Sequence, residues 1–383
     1  MTPTVLLVST TTRWLGTARM PRVLARAGLD VALLAPADSL ATKSRYVSRI
    51  GVLPATATPM EWLLSLVQMI GKVAPRALVP CDEMAVRLLF MLVLEPPPGL
   101  DAMLQAQLTR LIIDSVGDPR FYAASIDKTL LPAAAEALGV RVPPYAIATS
   151  VKDAQARADD LGYPVVLKRR FGFAGHGVAI LSTRNELADE ARRLLSPDQL
   201  DIGERRSPAL LVQAFIAGPY HSQALVALRG QPLQSFAWER LVATAPVKGQ
   251  TAVLRFIRSP ETREPSEALC RAFGIAGFFN VQFVIDERSG AAQLLEINRR
   301  IVTHTHLGER NGRDLGVALA RALEGKPPAA TPAADDCADD RIVIFPREWL
   351  RDPQSGYLAE IPADVPWDEP ELFAAMLAMR HEG

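Results

Sequence analysis

Short apolar runs separated by amphipathic stretches fill the first third of the chain. Residues 5–8, 31–34 and 77–79 are runs of strand length, rich in valine and leucine. Residues 17–27 and 60–72 between them look helical, and Gly28 stops the first. Strands alternating with helices predict a parallel sheet covered on both faces. The turn after the first strand, residues 9–16, lacks a G-x-G-x-x-G pattern. A dinucleotide fingerprint is therefore absent, and this layer is expected to be Rossmann-like in topology alone. Pro96-Pro97-Pro98-Gly99 and Asp118-Pro119 place its end near residue 115.

A helix is expected over residues 125–138, with Gly139 as its stop. Pro143 and Pro144 impose extended backbone. A small α+β unit follows over about 142–210: a helix capped by Ser150, a strand at 164–168, a glycine loop, a strand at 178–181 and a helix at 183–195. Residues 210–239 and 277–297 are strand-rich, and residues 314–324 read as a helix. The Pro/Ala-rich residues 327–335 read as a linker. The tail carries one clear strand, 342–345. The expected divisions are 1–115, 116–325 and 326–383, the last a linker with a C-terminal extension.

Composition narrows the function classes. Of 383 residues, 49% are apolar, and Lys+Arg and Asp+Glu balance at 42 each. A dedicated nucleic-acid surface normally shows a basic excess, so no nucleic-acid partner is expected. Cys81, Cys270 and Cys337 are too scattered for a disulfide framework or a zinc site. The longest apolar stretch, 88–94, is too short to span a bilayer. A cytoplasmic protein without a membrane partner is expected.

Two segments carry chemistry. Residues 164–178 deliver Lys168 from a buried strand into a loop holding Gly172, Gly175 and Gly177, then into another strand. Glycines let backbone N–H groups approach phosphate oxygens, and the lysine adds positive charge. It is not a Walker A loop, because Gly-Lys-Ser/Thr before a helix is missing. An ordinary hairpin with a surface lysine is the competing reading. The second segment is the pair of strands 280–286 and 293–300, joined by the turn 286–290. Period-two alternation puts Glu296 and Asn298 on one face of the second strand, and Gln282 on a face with Val284 and Asp286. Three oxygen-bearing side chains on paired strands suit Mg²⁺, which leaves coordination sites for phosphates.

Taken together, a lysine ahead of a glycine loop, a hinge strand, and V-Q-F followed by L-L-E-I-N-x-R resemble the ATP-grasp superfamily over roughly residues 115–325. The pattern is most similar to carbamoyl-phosphate synthetase large subunits and biotin carboxylases. The resemblance implies a Rossmann-like pre-ATP-grasp domain followed by a two-subdomain ATP-grasp fold with a mobile lid. It implies ATP and Mg²⁺ (or Mn²⁺) as cofactors, and allows a homodimer. Lys128 and Lys168 match the two nucleotide lysines, and Gly172, Gly175 and Gly177 the loop over the triphosphate. Gln213, Ala214, Phe215 and Ile216 match the hinge whose backbone reads adenine. Gln282 and Glu296 match Mg²⁺-holding positions, and Asn298 a further metal or phosphate contact. Arg300 matches the arginine that stabilises the transferred phosphoryl group, so Arg300, Lys168 and Asn298 are the candidate catalytic residues. Such a set does what in-line phosphoryl transfer needs: positioning and charge neutralisation.

The sequence departs from the family pattern in three places. Tyr220 stands where a ribose-binding glutamate is common, Arg299 replaces a proline, and Gln282 is neutral where Asp or Glu is frequent. Other residues leave alternatives open. His304 and His306 read more readily as polar loop side chains than as metal ligands or acid/base groups, though substrate contact is plausible. His176 faces either phosphate or solvent. Asp82 is favoured as a helix cap over a reader of a substrate amine with Glu83. Arg255 and Arg258 are either carboxylate readers or exposed strand residues. Cys81 lacks an assignable base. The tail run 364–368 could pack over the active site or make a dimer contact.

The expected function is a carboxylate–amine ligase. ATP phosphorylates a small-molecule carboxylate, and an amine displaces phosphate to form an amide or peptide bond. A bicarbonate-activating, carboxylase-type component and a non-catalytic nucleotide-binding protein are the alternatives.

Overall fold

A computed structural model describes residues 2–54, 57–172, 177–196, 208–245, 249–327 and 340–379. The first layer is a parallel sheet of β1 (Thr4–Val8), β2 (Asp30–Pro36), β3 (Arg49–Leu53) and β4 (Ala77–Pro80), in the order β3-β2-β1-β4. β1 is apolar on both faces because both are covered. Val5 and Leu7 pack with Met20 and Leu24 of the helix Leu15–Arg26. Leu6 and Val8 pack with Trp62 and Leu66 of the helix Pro59–Val73. Continuous rather than alternating hydrophobicity is the expected signature of a sheet buried on both sides. β3 escaped the sequence pattern because four of its five residues are incompletely buried. The apolar stretch 88–94 lies in the helix Glu83–Leu94, which Asp82 caps by accepting from Ala85 N at 2.9 Å.

The expected helix 125–138 is broken in two, Tyr122–Ile126 and Leu131–Glu136. Between them Asp127 makes its own turn. Its Oδ1 accepts from Thr129 N at 2.9 Å and Thr129 Oγ1 at 2.6 Å, and its Oδ2 accepts two bonds from Arg170. A short side chain that bonds nearby backbone offers an alternative to the helix ladder. The break is useful, because it turns Lys128 toward the glycine loop.

A second sheet, antiparallel, contains β5 (Tyr145–Ala148), β6 (Val165–Arg169), β7 (Val178–Leu181) and β8 (Leu210–Ala214), in the order β5-β8-β6-β7. The helices Val151–Leu161 and Arg184–Leu195 bury their apolar faces against it. Ser150 caps the first as the sequence predicts, and Thr183, expected inside the second, caps it instead. The sheet runs on to Ala214, so Gln213 belongs to it rather than following it.

The third sheet holds β9 (Tyr220–Leu228), β10 (Gln231–Ala243), β11 (Thr251–Ile257), β12 (Gly277–Ile285), β13 (Ala292–Asn298) and β14 (Arg341–Val343), in the order β13-β12-β9-β10-β11-β14. β14 lies in the tail, within the expected C-terminal extension. It pairs with β11 through Val253↔Val343, so the tail supplies an edge strand of the central sheet. The helix Pro370–Leu377 then buries Leu372 and Met376 against Leu15, Ala18 and Leu40 of the first layer. The proposed linker falls largely on residues 328–339, which lie outside the described residues, as does Cys337. Among the described residues, no helix is long and apolar enough to cross a membrane.

Candidate functional site

One cavity of about 360 Å³ lies between the second and third sheets. Its first wall is β6, β7 and the end of β8, with Val166, Lys168, Val178, Ile180 and residues 213–216. Its floor is the β12–β13 pair, with Gln282, Glu296 and Asn298. Register explains the floor: Gln282 lies opposite Glu296 and Asn280 opposite Asn298. Its far end is formed by Trp14, Trp238, His304, Arg300 and Arg347. Lys168, residues 213–216, Tyr220, Gln282, Glu296, Asn298 and Arg300 thus line one space, whereas Lys128, Gly172 and Gly177 do not line it.

Lys128 Nζ donates to Gly172 O at 2.8 Å and stands 3.5 Å from Glu296 Oε2. Lys168 Nζ reaches Leu295 O at 3.3 Å. Burial pushes the Lys168 ammonium down to about 8; Glu296 opposes this and Lys128 adds to it. Burial also pulls the Glu296 carboxyl upward. Lys128, Lys168 and the Asn298 amide outweigh that pull, so Glu296 sits below the usual carboxylate range. The ionised Glu296 carboxylate thus has two lysines beside it. Gly177 O accepts from Arg169 N at 2.8 Å. Gly175 and His176 lie outside the described residues.

The hinge is pinned to its neighbours by backbone bonds. Ala214 N donates to Pro144 O at 2.8 Å, and Phe215 N to Pro164 O at 3.2 Å. Gly218, with φ of 151°, sits where a Cβ would meet Ile285 O at 1.7 Å. Only glycine lets the chain pass the β12–β13 turn this closely. Tyr220 lines the cavity beneath the Arg240 guanidinium, 3.9 Å from the ring centroid. The departure from the usual glutamate is therefore an aromatic–cation pair at that end of the cavity.

Arg299 and Arg300 separate cleanly. Arg299 is buried away from the cavity, donating to Ser125 Oγ at 2.6 Å and to Val116 O, with its guanidinium over Phe90. Arg300 lines the cavity, and its Nε lies 3.1 Å from Glu83 Oε2 in an ion pair with both side chains nearly inaccessible. Its guanidinium also covers the Trp14 ring at 4.8 Å. Asp82 proves to be a cap with a second task, accepting from Ser9 Oγ and Thr10 Oγ1, each at 2.8 Å.

The histidine run resolves into two roles. His306 Nε2 is 2.8 Å from Asp364 Oδ2, so His306 holds the tail. His304 lines the cavity with its ring 5.0 Å from Trp238. The run 364–368 docks on the first layer: Arg19 donates to Asp364 O at 2.6 Å and Arg22 to Asp368 at 2.9 Å. Arg255 is partly exposed and pairs with Glu239 at 2.5 Å, away from this cavity. Arg258 lines a different pocket. Cys81 is wholly buried, its thiol pushed up by burial, which removes it as a nucleophile.

Sequence reasoning missed Glu83 as the partner of Arg300, and missed Arg347 altogether. No local signal marks Arg347; it reaches the cavity only because β14 joins β11. Trp14 and Trp238 carried no signal beyond their size.

Residues 125–304 match the sequence profile of a family described as ATP-grasp domains. The chain carries an ATP-grasp domain. It is 25% identical over 205 residues to the arginine-specific large chain of carbamoyl phosphate synthase from Geobacillus stearothermophilus. That match covers 51% of this chain and 18% of that one. It is 29% identical over 215 residues to human mitochondrial pyruvate carboxylase, covering 52% and 17%. The chain thus spans about a fifth of the length of these relatives. Among solved structures, the fold is similar to the biotin carboxylase domain of Hydrogenobacter thermophilus 2-oxoglutarate carboxylase. The TM-score is 0.63 at 18% identity, over 86% of this chain and 71% of that one. It is also similar to the L-amino acid ligase from Bacillus licheniformis, with a TM-score of 0.58 at 17% identity, over 84% and 74%. The mixed α/β architecture of the ATP-grasp domain is the one these structures share.

Proposed function

We propose that the chain is an ATP-dependent ligase that activates a carboxylate as an acyl phosphate and joins it to an amine, releasing ADP and phosphate. The observation that carries this reading is the continuity of the cavity. A phosphate-facing half, with Lys168, Glu296 and Asn298 and with Lys128 3.5 Å from Glu296, opens directly onto a half with two buried arginines and two tryptophans. Cations beside a negative phosphoryl group and a carboxylate hold reactants that otherwise repel each other.

The donor set fits Mg²⁺: Glu296 is ionised, and Gln282 and Asn298 add neutral oxygens from the paired strand and the same strand. When bound there, the ion neutralises phosphate oxygens. In this reading Lys168 and Lys128 hold the phosphates, residues 213–216 flank the adenine, Tyr220 stands beside the ribose, and Arg300 faces the reacting carboxylate. The glycine loop from Gly172 to Gly177 is assigned to cover the triphosphate. The two tryptophans favour an organic acid over bicarbonate at the far end, because bicarbonate offers no apolar surface to bury against them.

The test is release of phosphate and ADP across a panel of acids and amines. Release that requires both an acid and an amine supports the ligase. Release with bicarbonate alone supports a carboxylase-type enzyme, AMP with pyrophosphate contradicts both, and nucleotide binding without turnover supports a non-catalytic role. A pH dependence follows from Lys168. Its ammonium is lost as pH rises through about 8, so ATP affinity falls across that window. In Lys168→Met, affinity is weaker at pH 7 and flat through the same window. Isothermal titration at several pH values measures both, and parallel profiles for the two proteins contradict the assignment.

A further inference from the structure

At the far end of the cavity, two buried groups have incomplete partners. Arg347 Nη1 donates to Thr251 O at 3.2 Å and Nη2 to Thr303 Oγ1 at 2.8 Å. His304 lines the same end, and its buried Nε2 has no hydrogen-bond partner among the described residues. In the tautomer protonated at Nδ1, Nε2 is an acceptor without a donor. Arg347 is equally incomplete: it is buried, with no carboxylate paired to it among the described residues. The acid that bears on it is Asp364, which His306 and the Phe345 amide already occupy. A buried cation without an anion and a buried acceptor without a donor are both costly, and one ligand can relieve both.

We propose that this end binds the incoming amine, and that the amine is an amino acid or another amino carboxylate. Its carboxylate sits on Arg347 and its amino nitrogen donates to His304 Nε2. The proposal rests on the ligase reading and names its acceptor and its base. The nitrogen attacks the acyl carbon, the bond from that carbon to the phosphate oxygen breaks, and phosphate leaves with the electron pair. The proton released from nitrogen passes to His304 Nε2, so charge and atoms balance.

The charges bearing on His304 favour this role. Burial first, then Arg347 and His306, hold its imidazole neutral, while Asp364 opposes them. A substrate carboxylate on Arg347 cancels one of those depressing charges. His304 thus becomes a better base when the acceptor is in place.

The experiment compares an amino acid with its decarboxylated amine as acceptor in the full chain. The wild-type protein is expected to prefer the amino acid by about a hundredfold in kcat/KM, and Arg347→Gln to erase that preference through KM. Hydroxylamine, which captures acyl phosphates without a base, supplies the second readout. In His304→Asn the ratio of amide to hydroxamate is expected to fall by about a hundredfold, with loss of the acidic limb of the pH profile. Equal use of both acceptors by wild type overturns the Arg347 assignment without needing a variant. An unchanged product ratio and pH profile in both His304→Asn and His304→Gln overturns the base. Absence of any acid- and amine-dependent turnover in wild type removes the ligase reading itself, and this proposal with it.

Discussion

Glu296→Gln is expected to lower Mg²⁺-dependent turnover by about a hundredfold or more, the usual loss when one stabiliser of transferring charge is removed. The substitution preserves size and one oxygen, so packing of β13 is retained. What disappears is the negative charge. Glu296 is the sole carboxylate on the floor of the cavity among its described lining residues; Gln282 and Asn298 contribute neutral oxygens. Without it, Lys128 at 3.5 Å and the neighbouring Lys168 repel a divalent cation instead of sharing an anion with it. A Mg²⁺ titration of phosphate release separates two effects, since metal affinity falls together with the maximal rate. Unchanged turnover at ordinary Mg²⁺ concentrations would sink the metal assignment.

Glu83→Ala is expected to destabilise the protein by about 3–5 kcal/mol, the range for removing one partner of a buried ion pair. Glu83 starts the helix that follows β4, and Arg300 follows β13, so this pair joins the first and third sheets. Alanine leaves the Arg300 guanidinium buried with the Asn298 side chain at 3.4 Å, the Ile301 carbonyl at 3.1 Å and the Trp14 ring. None of these carries a compensating charge. Denaturant unfolding followed by tryptophan fluorescence measures the loss, and a change below about 1 kcal/mol shows that the pair is dispensable. Because Arg300 also lines the cavity, the same variant is expected to lose turnover, and Glu83→Gln to recover stability in part by keeping one hydrogen bond.

Periodicity made the sheets legible where one physical demand dominated. β1, β2 and β4 are apolar because helices cover both faces, and such strands appear as continuous runs. The cap at Ser150 was legible because an orphan helix N–H needs a nearby oxygen. β3 was not, because its residues are mostly exposed, and neither was the break at Asp127. There the carboxylate bonds both Thr129 and Arg170, and Arg170 is 43 residues away.

For the site, residue type and local geometry singled out Lys168, Gln282, Glu296 and Asn298 on a strand pair and beside a glycine loop, and the family resemblance added Lys128 and Arg300. The far end of the cavity belongs to tertiary structure. Glu83, Trp14, His304 and Arg347 acquire their environments from contacts across the chain: a buried anion for Arg300, the Thr251 carbonyl for Arg347, an edge strand that carries the tail to β11. Local sequence decides which groups a strand or loop can present. Desolvation and pairing with distant partners decide which of them are charged, neutral or left in need of a ligand.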